Sequence, residues 1–308
     1  MRFHQVQVEA PWSARHGHTC VWHDGRFILA GGCEAEGTDP SSIRRDVWTS
    51  TDGARWSCLT DAAEWPERYL HQMLVFRGRL WMFGGMHRYR PDRVNLNDVW
   101  VSDDAESWQQ ITGAAPWPPR HVFSAVVHDD RMWVIAGAPD GMVYFNDVWS
   151  SQDGLHWTEH HCERPRFPVR KNPACVSFRG RLWIIGGNEL VRPAVSQTVH
   201  DVWSSEDGAD WRRETSAAAW SARDFPQVVV WRDRMWLFGG REDRPDGHVS
   251  DIWWSKDGIT WHRSEHQTPW PVRHCGAMQV QGERLWLFGG CLSGQRDGHF
   301  NDMWQVRS

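Results

Sequence analysis

Short apolar runs alternate with turn-forming residues along the chain, and this pattern predicts β-strands throughout. In one stretch, 69–76 and 79–83 are predicted as two strands, with 77–78 as the two-residue turn between them. A third strand is predicted at 99–102 and a fourth at 107–111. Four short antiparallel strands in succession are typical of one blade of a β-propeller.

One phrase, Asp-Val-Trp or a close variant, repeats this pattern. In five of its six copies a second Trp follows eight residues after the first. The copies lie 49 to 54 residues apart, a period typical of a propeller or solenoid. They begin at Asp46, Asp98, Asp147, Asp201, Asp251 and Asp302.

The repeat predicts a single all-β domain over 1–308, a six-bladed kelch-type β-propeller with four antiparallel strands in each blade. The predicted blades are about 12–64, 65–116, 117–166, 167–219, 220–269, and 270–308 joined by 1–11. The segment 3–8 fits the missing outer strand of the sixth blade, because Phe3 precedes Trp12 by the nine residues that separate Trp56 from Trp65. We predict that it pairs with 304–306 and closes the ring, which removes an open sheet edge.

Two further features recur with the phrase. A glycine pair follows the apolar second strand in most repeats, and an Arg precedes the first strand, at Arg15, Arg68, Arg120, Arg170, Arg223 and Arg273. The double glycine and the two spaced aromatic residues after it resemble kelch repeats over essentially the whole chain. The resemblance implies a propeller and little about activity. We expect the recurring Trp to pack between blades, and the recurring Arg to pair with the Asp of the phrase or with loop carbonyls.

The charge, the length of the apolar runs and the cysteine count limit the functions that the chain can have. The net charge is −5 and the pI about 6.4, with no basic run, which argues against nucleic acid as a partner. No apolar stretch is as long as the roughly 18 residues of a membrane helix, and the N-terminus lacks the apolar core of a signal peptide. The seven cysteines are an odd number and favour free thiols in a reducing compartment. We therefore expect a cytoplasmic protein that does not bind membranes.

Functional residues are expected where the repeats differ. The position after the recurring Arg holds a group that can carry or transfer a proton in every blade, and these are the candidate catalytic residues: His16, Tyr69, His121, Lys171, Asp224 and His274. Burial and neighbouring charges can shift such groups toward neutral pKa values. The alternative is that they only bond loop carbonyls.

Nearby variable positions extend the candidate site toward a ligand. The substrate-binding candidates are His18, His71, Phe123, Asn188, Arg241, His200, His248 and His299. The loop that enters the first strand and the loop that joins the second and third strands lie on the same face of a blade. These residues are therefore expected at one concave mouth, the usual place for a small-ligand site. Arg and His there suit an anionic or polyhydroxylated small molecule.

A metal site is a further candidate where blades 6 and 1 are expected to meet. His16, His274, Cys33 and Cys291 would lie near one another, and imidazole and thiolate are ligands of zinc, copper and iron. No short-range spacing such as Cys-x-x-Cys supports the site. Apart from this transition metal, no cofactor is expected.

In size and blade count the chain resembles the N-acetylneuraminate epimerase group of kelch propellers, which implies acid–base chemistry on a small molecule. The resemblance implies an isomerase, epimerase, cyclase or lyase, with His16, His121, His274 or Lys171 as base or acid. Tyr69 and Asp224 would orient the substrate or donate a proton. Galactose-oxidase propellers also have kelch blades, but we expect no domain besides the propeller over 1–308 and therefore no copper radical oxidase.

Three alternatives to this enzyme remain. The loops of many kelch propellers bind a peptide or protein. A metal-dependent enzyme would use the Cys and His set. A sugar-binding lectin would use exposed Trp, although lectins of this shape usually repeat their sites, whereas the mouth residues here differ in every blade.

Overall fold

The computed structural model describes residues 1–34, 40–88, 93–161, 166–292 and 298–307. Within these residues it contains 27 β-strands and one 3-10 helix, Pro40–Ser42. No helix in the described part of the chain has the length and apolar character needed to cross a membrane. Six of the seven cysteines are described, and all six are free thiols, whereas Cys162 lies outside the described residues.

The strands are short and follow one another in chain order. The first nine are β1 (Arg2–Gln7), β2 (Thr19–His23), β3 (Arg26–Cys33), β4 (Ile43–Ser50), β5 (Ser57–Thr60), β6 (Gln72–Phe76), β7 (Arg79–Arg88), β8 (Val94–Ser102) and β9 (Gln109–Thr112). The next nine are β10 (Ser124–His128), β11 (Arg131–Gly137), β12 (Phe145–Ser151), β13 (Trp157–Glu159), β14 (Arg170–Lys171), β15 (Ala174–Phe178), β16 (Arg181–Ile185), β17 (Asn188–Arg192) and β18 (Val195–Thr198). The last nine are β19 (Val202–Ser205), β20 (Arg212–Thr215), β21 (Gln227–Trp231), β22 (Arg234–Arg241), β23 (His248–Ser255), β24 (His262–Gln267), β25 (Ala277–Gln281), β26 (Arg284–Cys291) and β27 (His299–Arg307).

The strands form antiparallel sheets within two compact units, Met1–His121 with Cys275–Ser308 and Val122–His274. The first unit contains the four-stranded sheets β2-β3-β4-β5, β6-β7-β8-β9 and β1-β27-β26-β25. The second contains β10-β11-β12-β13, β15-β16-β19-β20 and β21-β22-β23-β24, with a small sheet β14-β17-β18. The predicted four-stranded repeat is confirmed, since each of the six larger sheets corresponds to one blade. The extent of a single domain over 1–308 stays a prediction.

The N-terminal strand supplies the outer strand of the sixth blade. β1 pairs antiparallel with β27, with Phe3 opposite Val306, His4 opposite Gln305 and Gln5 opposite Trp304. The predicted pairing with 304–306 is confirmed at the level of register. That this pairing closes a ring stays a prediction.

Aromatic side chains fill the core of both units. In the first unit Trp65 is fully buried and meets Trp108 edge to face, with ring centroids 6.3 Å apart. In the second, Trp220 meets Trp261 in the same way at 6.1 Å. Aromatic pairs in this geometry stabilise a core beyond their burial alone. The recurring Trp therefore have the packing role that the repeat predicts.

Candidate functional site

A buried arginine anchors the start of a repeat to its own sheet. Arg15 donates from Nη1 and Nη2 to the two carboxylate oxygens of Asp46, at 2.6 and 2.8 Å, and from Nη1 to the carbonyl of Gly31 at 2.9 Å. The equivalent pairs are Arg68–Asp98, Arg170–Asp201 and Arg223–Asp251. These bidentate bonds fix the backbone at the end of the strand, and they confirm that the recurring Arg pairs with the recurring Asp.

The residue after each anchoring arginine lies opposite the residue that follows the double glycine. The described backbone pairs of this kind are His16–Cys33, Tyr69–Met86, Lys171–Asn188 and Asp224–Arg241. A third position completes the arrangement, because it lies at or directly before the start of the third strand of the preceding repeat, three residues before its Asp. The described side-chain pairs with this position are His16–His299, Lys171–Tyr144 and His274–His248. At the described junctions around His16, Lys171 and Asp224, three variable residues therefore lie close together.

In the second unit, Lys171 lies beside two polar neighbours. Its ammonium is 4.9 Å from the centre of the Tyr144 ring, a cation–π contact. The Tyr144 hydroxyl donates to Oδ1 of Asn188 at 3.4 Å, and Asn188 pairs with Lys171 through the backbone. This contact holds one of the two lysines of the chain at the variable end of its sheet.

Asp224 is fully buried and holds Arg241 in place. Nε and Nη2 of Arg241 donate to its two carboxylate oxygens, at 3.2 and 3.0 Å. Asn172 donates to the same carboxylate at 3.4 Å. The Arg241 side chain is 39% exposed, so the buried carboxylate orients a cation that solvent can reach.

His248 and His274 form a hydrogen-bonded imidazole pair next to Arg241. Nε2 of His248 lies 2.9 Å from Nδ1 of His274, and His248 is the backbone partner of Arg241. One ring must donate and the other accept, so at most one of the two facing nitrogens carries the proton. Burial, followed by the charge of Arg241, lowers the pKa of His248 below its ordinary value, which favours the neutral ring.

A cavity of about 380 Å³ opens in the second unit beside the Asp224–Arg241 pair. Its lining is almost entirely polar: Asn188, Thr198, Asp224, Arg241, Glu242, Asp243, Arg244 and Pro245. The volume falls in the range of small-molecule sites in proteins. Substrate-binding candidates Asn188 and Arg241 therefore meet catalytic candidate Asp224 at one cavity.

The loop that forms one wall of this cavity is fixed by its own backbone. The amide of Glu242 donates to the carbonyl of Gly247 at 2.8 Å, and the amide of Gly247 donates to Arg244 at 3.1 Å. A Cβ on Gly247 would lie 2.3 Å from the Glu242 carbonyl oxygen, so this turn requires glycine. Glu242 also accepts from Ser221 and from Arg244. Glu242 and Arg244 of this wall are thus already paired with each other.

In the first unit, His16 meets His299 and Cys291. Nδ1 of His16 lies 2.9 Å from Nε2 of His299, and one ligand atom from each of the three side chains lies within 4.8 Å of the other two. Burial, reinforced by His299, lowers the pKa of His16 to about 3. The predicted metal residues His16 and Cys291 come together here, with His299 as the third member. His274 belongs to the second unit, where it pairs with His248.

Tyr69 and Cys33 lie in an apolar cluster beside His16. Tyr69 meets the His16 ring edge to face at 5.6 Å, and its hydroxyl donates to the Met86 sulfur at 3.0 Å. Cys33 is fully buried with Sγ 3.4 Å from the Ser42 hydroxyl. These contacts give Tyr69 and Cys33 a packing role, and any role in catalysis or metal binding stays a prediction.

His18 and His71 are buried between strands. His18 bonds the Phe288 carbonyl through Nε2 at 3.1 Å, and His71 bonds the Thr19 hydroxyl through Nε2 at 3.0 Å. Within the described residues Nδ1 of each ring has no hydrogen-bond partner. These contacts give both residues a packing role, and their role in substrate binding stays a prediction.

The remaining candidates belong neither to the described lining of the cavity nor to the group of His16, Cys291 and His299. His121 and Phe123 are buried, at 8% and 3% exposure. His200 bonds the Trp220 carbonyl through Nδ1 at 3.1 Å and meets the Trp220 ring edge to face. His200 directly precedes Asp201, whereas His248 and His299 lie three residues before their Asp. This difference in register separates His200 from the two paired histidines.

Thr198 lines the cavity but was not among the sequence candidates. It lies three residues before the Asp of the repeated phrase, as His248 does, and this register is a usable signal. Glu242, Arg244 and Tyr144 lie in the variable loops after the second strands, where ligand contacts are expected from the sequence, but only the structure shows their neighbours.

Comparison with known proteins identifies relatives of this fold. The family model of the KLHDC2/KLHL20/DRC7 Kelch-repeats domain matches residues 17–206. The flagellar outer arm dynein alpha chain of Chlamydomonas reinhardtii is 29% identical over 209 residues, covering 60% of this chain and 4% of that protein. The Rab9 effector protein with kelch motifs of Gallus gallus is 26% identical over 204 residues, covering 60% of this chain and 51% of that protein.

The chain spans about half the length or less of the curated relatives it matches. Among solved structures, that of YjhT superimposes with a TM-score of 0.76 at 14% identity, covering 98% of this chain and 97% of that one. At this identity the likeness establishes the fold, a kelch-type β-propeller, and carries no information on activity.

Proposed function

The chain belongs to the family of kelch-repeat domains, and on that premise we propose that its second unit binds a small polar molecule with an anionic group and performs acid–base chemistry on it. The observation that carries the proposal is the polar cavity of about 380 Å³ at the buried Asp224–Arg241 pair. A carboxylate or phosphate of the ligand binds Arg241, whose planar guanidinium suits such groups. Asp224 keeps that guanidinium oriented before the ligand arrives.

The His248–His274 pair supplies the base. Two neutral imidazoles that share a hydrogen bond can accept one proton and delocalise the charge over the pair. Arg241 lies opposite His248 in register, so an anionic group bound there brings its acidic C–H or O–H toward the pair. The proton removed is returned to another position of the same molecule or lost with a leaving group. This chemistry belongs to isomerases, epimerases, cyclases and lyases.

Ligand binding tests the first part. Small carboxylates, sugar acids and sugar phosphates are screened for a rise in the melting temperature of the full chain. The double variant Asp224→Asn/Arg241→Gln removes both charges together, so no uncompensated charge is left buried. We expect it to weaken binding of an active compound by about 10- to 100-fold, the value of one charge-assisted bidentate contact.

Lys256→Gln is the matched control, because Lys256 is exposed on a strand-connecting turn and outside the cavity lining. Its affinity should equal that of the unmodified chain. Equal affinity in the double variant, or no stabilisation by any anionic compound, would refute the cavity as the ligand site.

Proton transfer tests the second part. A bound ligand is incubated with the chain in D₂O, and deuterium incorporation at carbon is followed by NMR. We expect His274→Gln to slow the exchange at least about 100-fold while ligand binding persists, in line with the usual contribution of a general base. If the exchange rate in that variant is unchanged, the histidine pair is not the base, and the cavity is only a binding site.

Binding of a protein partner is the second candidate function. Met142 and Val143 are 52% and 46% exposed in the loop between β11 and β12, and their amides donate to Asp140, which fixes the loop. The relative from Gallus gallus is named an effector of Rab9, which is consistent with a protein partner for a kelch propeller. A partner-binding surface would be sensitive to Met142→Ser/Val143→Ser and indifferent to the double cavity variant.

A further inference from the structure

Three potential metal ligands converge in the first unit from three separate segments. Cys291 ends β26 and lies directly opposite His299, the first residue of β27. His16 reaches them from the segment before β2, where the anchored Arg15 and the backbone pair with Cys33 fix its position. Among the described residues these three form the one group of His, Cys, Asp or Glu side chains close enough to share a metal ion.

The spacing of the ligand atoms is close to that of a tetrahedral site. Ligands at about 2.0–2.3 Å from a zinc ion lie roughly 3.3–3.8 Å from one another. The His16 and His299 nitrogens are 2.9 Å apart and all three atoms lie within 4.8 Å. Side-chain rotations that separate the nitrogens by a few tenths of an ångström and draw the sulfur in by about 1 Å give the bound geometry.

The second unit contains a natural comparison for this group. His248 and His274 form the same hydrogen-bonded pair at the equivalent places. The residue opposite His248 is Arg241, whereas the residue opposite His299 is Cys291. A guanidinium repels a cation and offers no lone pair. Two equivalent histidine pairs therefore differ by one thiol, which makes only the pair in the first unit a complete ligand set.

We propose that His16, His299 and Cys291 bind one zinc ion, with the fourth coordination position open. One thiolate and two imidazoles are a recognised zinc ligand set, and three protein ligands leave a position for water or substrate. His16 and His299 are only partly buried, which gives an ion access from solvent, while Cys291 is buried. The apolar cluster of Cys33, Ile43, Tyr69 and Met86 lies beside the site. Zinc binding releases the thiol proton of Cys291 and involves no redox change.

Metal content and a cobalt titration of the full chain test the proposal. The protein is purified without a histidine tag, analysed for zinc, stripped with a chelator and titrated with Co²⁺ as a spectroscopic substitute. We expect about one equivalent to bind, with a thiolate-to-cobalt charge-transfer band, and Zn²⁺ to displace it. Cys291→Ser should abolish the band and weaken zinc binding by more than about 100-fold, beyond the loss of about 10- to 100-fold that is typical of an outer-shell change.

Matched variants separate this site from other thiols and histidines. Cys33→Ser and His274→Ala should bind zinc as the unmodified chain does. If Cys291→Ser does not fold, His299→Gln takes its place, since it removes one ligand and keeps a side chain of similar size. Absence of stoichiometric zinc or cobalt binding would overturn the proposal, and so would equal binding by the ligand variants and the controls. One equivalent of copper instead of zinc in the protein as purified would reassign the metal and overturn the choice of zinc, whereas tighter binding of added Cu²⁺ alone is expected of any such ligand set.

Discussion

At the scale of single residues, His18 and His71 show how the fold uses titratable groups without exposing them. Their rings fill space beside glycines of the neighbouring sheet, where a Cβ on Gly289 would lie 2.9 Å from His18 and one on Gly31 would lie 2.8 Å from His71. Burial, with the charge of Arg68, lowers the pKa of His71 well below 6.5. Burial, with Arg15, lowers the pKa of His18 to about 3. Both rings are therefore neutral in the folded chain at neutral pH.

This burial makes stability depend on pH. Below about pH 6.5 the unfolded chain protonates His71 while the folded chain does not, so the unfolded state binds more protons and the free energy of unfolding falls as the pH falls. The variant His71→Leu lacks this contribution. We expect the pH dependence of its unfolding free energy, measured with urea between about pH 6.5 and 5, to be shallower by up to about 1.4 kcal/mol per pH unit.

Thr19→Val is the control for this experiment, because it removes the hydroxyl bonded to His71 and leaves the imidazole in place. Its stability should be lower at every pH and its slope should stay that of the unmodified chain. Parallel pH curves for His71→Leu and the unmodified chain would contradict the argument.

The sequence identified the variable positions of the repeat, but it did not identify which of their side chains contact one another. His16 and Cys291 are found together as predicted, and Asp224 meets Arg241 and Asn188. Which side chains pair depends on their distance along the sequence from the repeated Asp. His200 was expected at the same site as His248 and His299, although its distance from the Asp is different. This distance separates His200 from the two paired histidines. The ion pairs of the loop at 242–247 depend on a backbone conformation that the sequence does not reveal.

At the scale of elements, the turns between third and fourth strands lock neighbouring sheets together. Gly53, Gly208 and Gly258 lie in these turns with positive φ, and each faces the ring of a Trp in another sheet of its own unit, namely Trp286, Trp133 and Trp183. A Cβ on Gly258 would lie 2.3 Å from the Trp183 ring. Glycine is needed here for two reasons, the backbone conformation and the space that the ring occupies.

The two reasons can be separated by experiment. Gly258→Ala combines an unfavourable φ of +78° with the clash against Trp183. Gly180→Ala has a similar φ of +72° in the turn between β15 and β16, but its Cβ would meet nothing within 4 Å. We expect losses in unfolding free energy of about 1 kcal/mol for Gly180→Ala and about 2–4 kcal/mol for Gly258→Ala, measured by urea denaturation. Similar losses in both variants would show that the ring moves aside without cost.

The small sheet β14-β17-β18 is an element that the repeat did not predict. Its hairpin lies where the sequence indicates a variable loop, and Pro193-Ala194 forms the turn, since Arg192 pairs with Val195. Ala194 has a φ of +62°, a conformation for which a sequence pattern normally shows Gly or Asn. Pro193 favours a turn, but without Gly or Asn at the next position the sequence lacks the usual signal for a hairpin.

At the scale of the whole molecule, repetition explains why the fold was predictable and the site was not. The shared residues of the repeat, the anchoring Arg, the Asp and the Trp, build each sheet in the same way. The residues that differ line the polar cavity and form the histidine pairs, and the residue type at each such position changes from repeat to repeat. The sheet β1-β27-β26-β25 departs from the chain order of the other four-stranded sheets, because it combines the first strand of the chain with the last three.

Removal of residues 1–9 tests how much the chain depends on this shared sheet. The deletion takes away the ladder partners of β27 and the packing of Val6 against the core cluster around Trp12. The partial burial of Phe3 and Val6 contributes about 1–3 kcal/mol, so the melting temperature should fall by about 2–8 °C. The uncovered backbone of β27 should also promote association of chains, seen as larger species by light scattering.

Two controls show whether the lost pairing is the cause. Val8→Ser leaves the strand intact and changes a side chain that is 75% exposed, so its melting temperature should match that of the unmodified chain. A synthetic peptide of residues 1–9, added to the truncated chain, should restore part of the lost stability by adding a strand at the free edge. If the truncated chain melted at the unchanged temperature and stayed monomeric, β1 would be dispensable. The stability of the sixth blade would then rest on β25, β26 and β27 alone, against the expectation for a strand that joins the two ends of the chain.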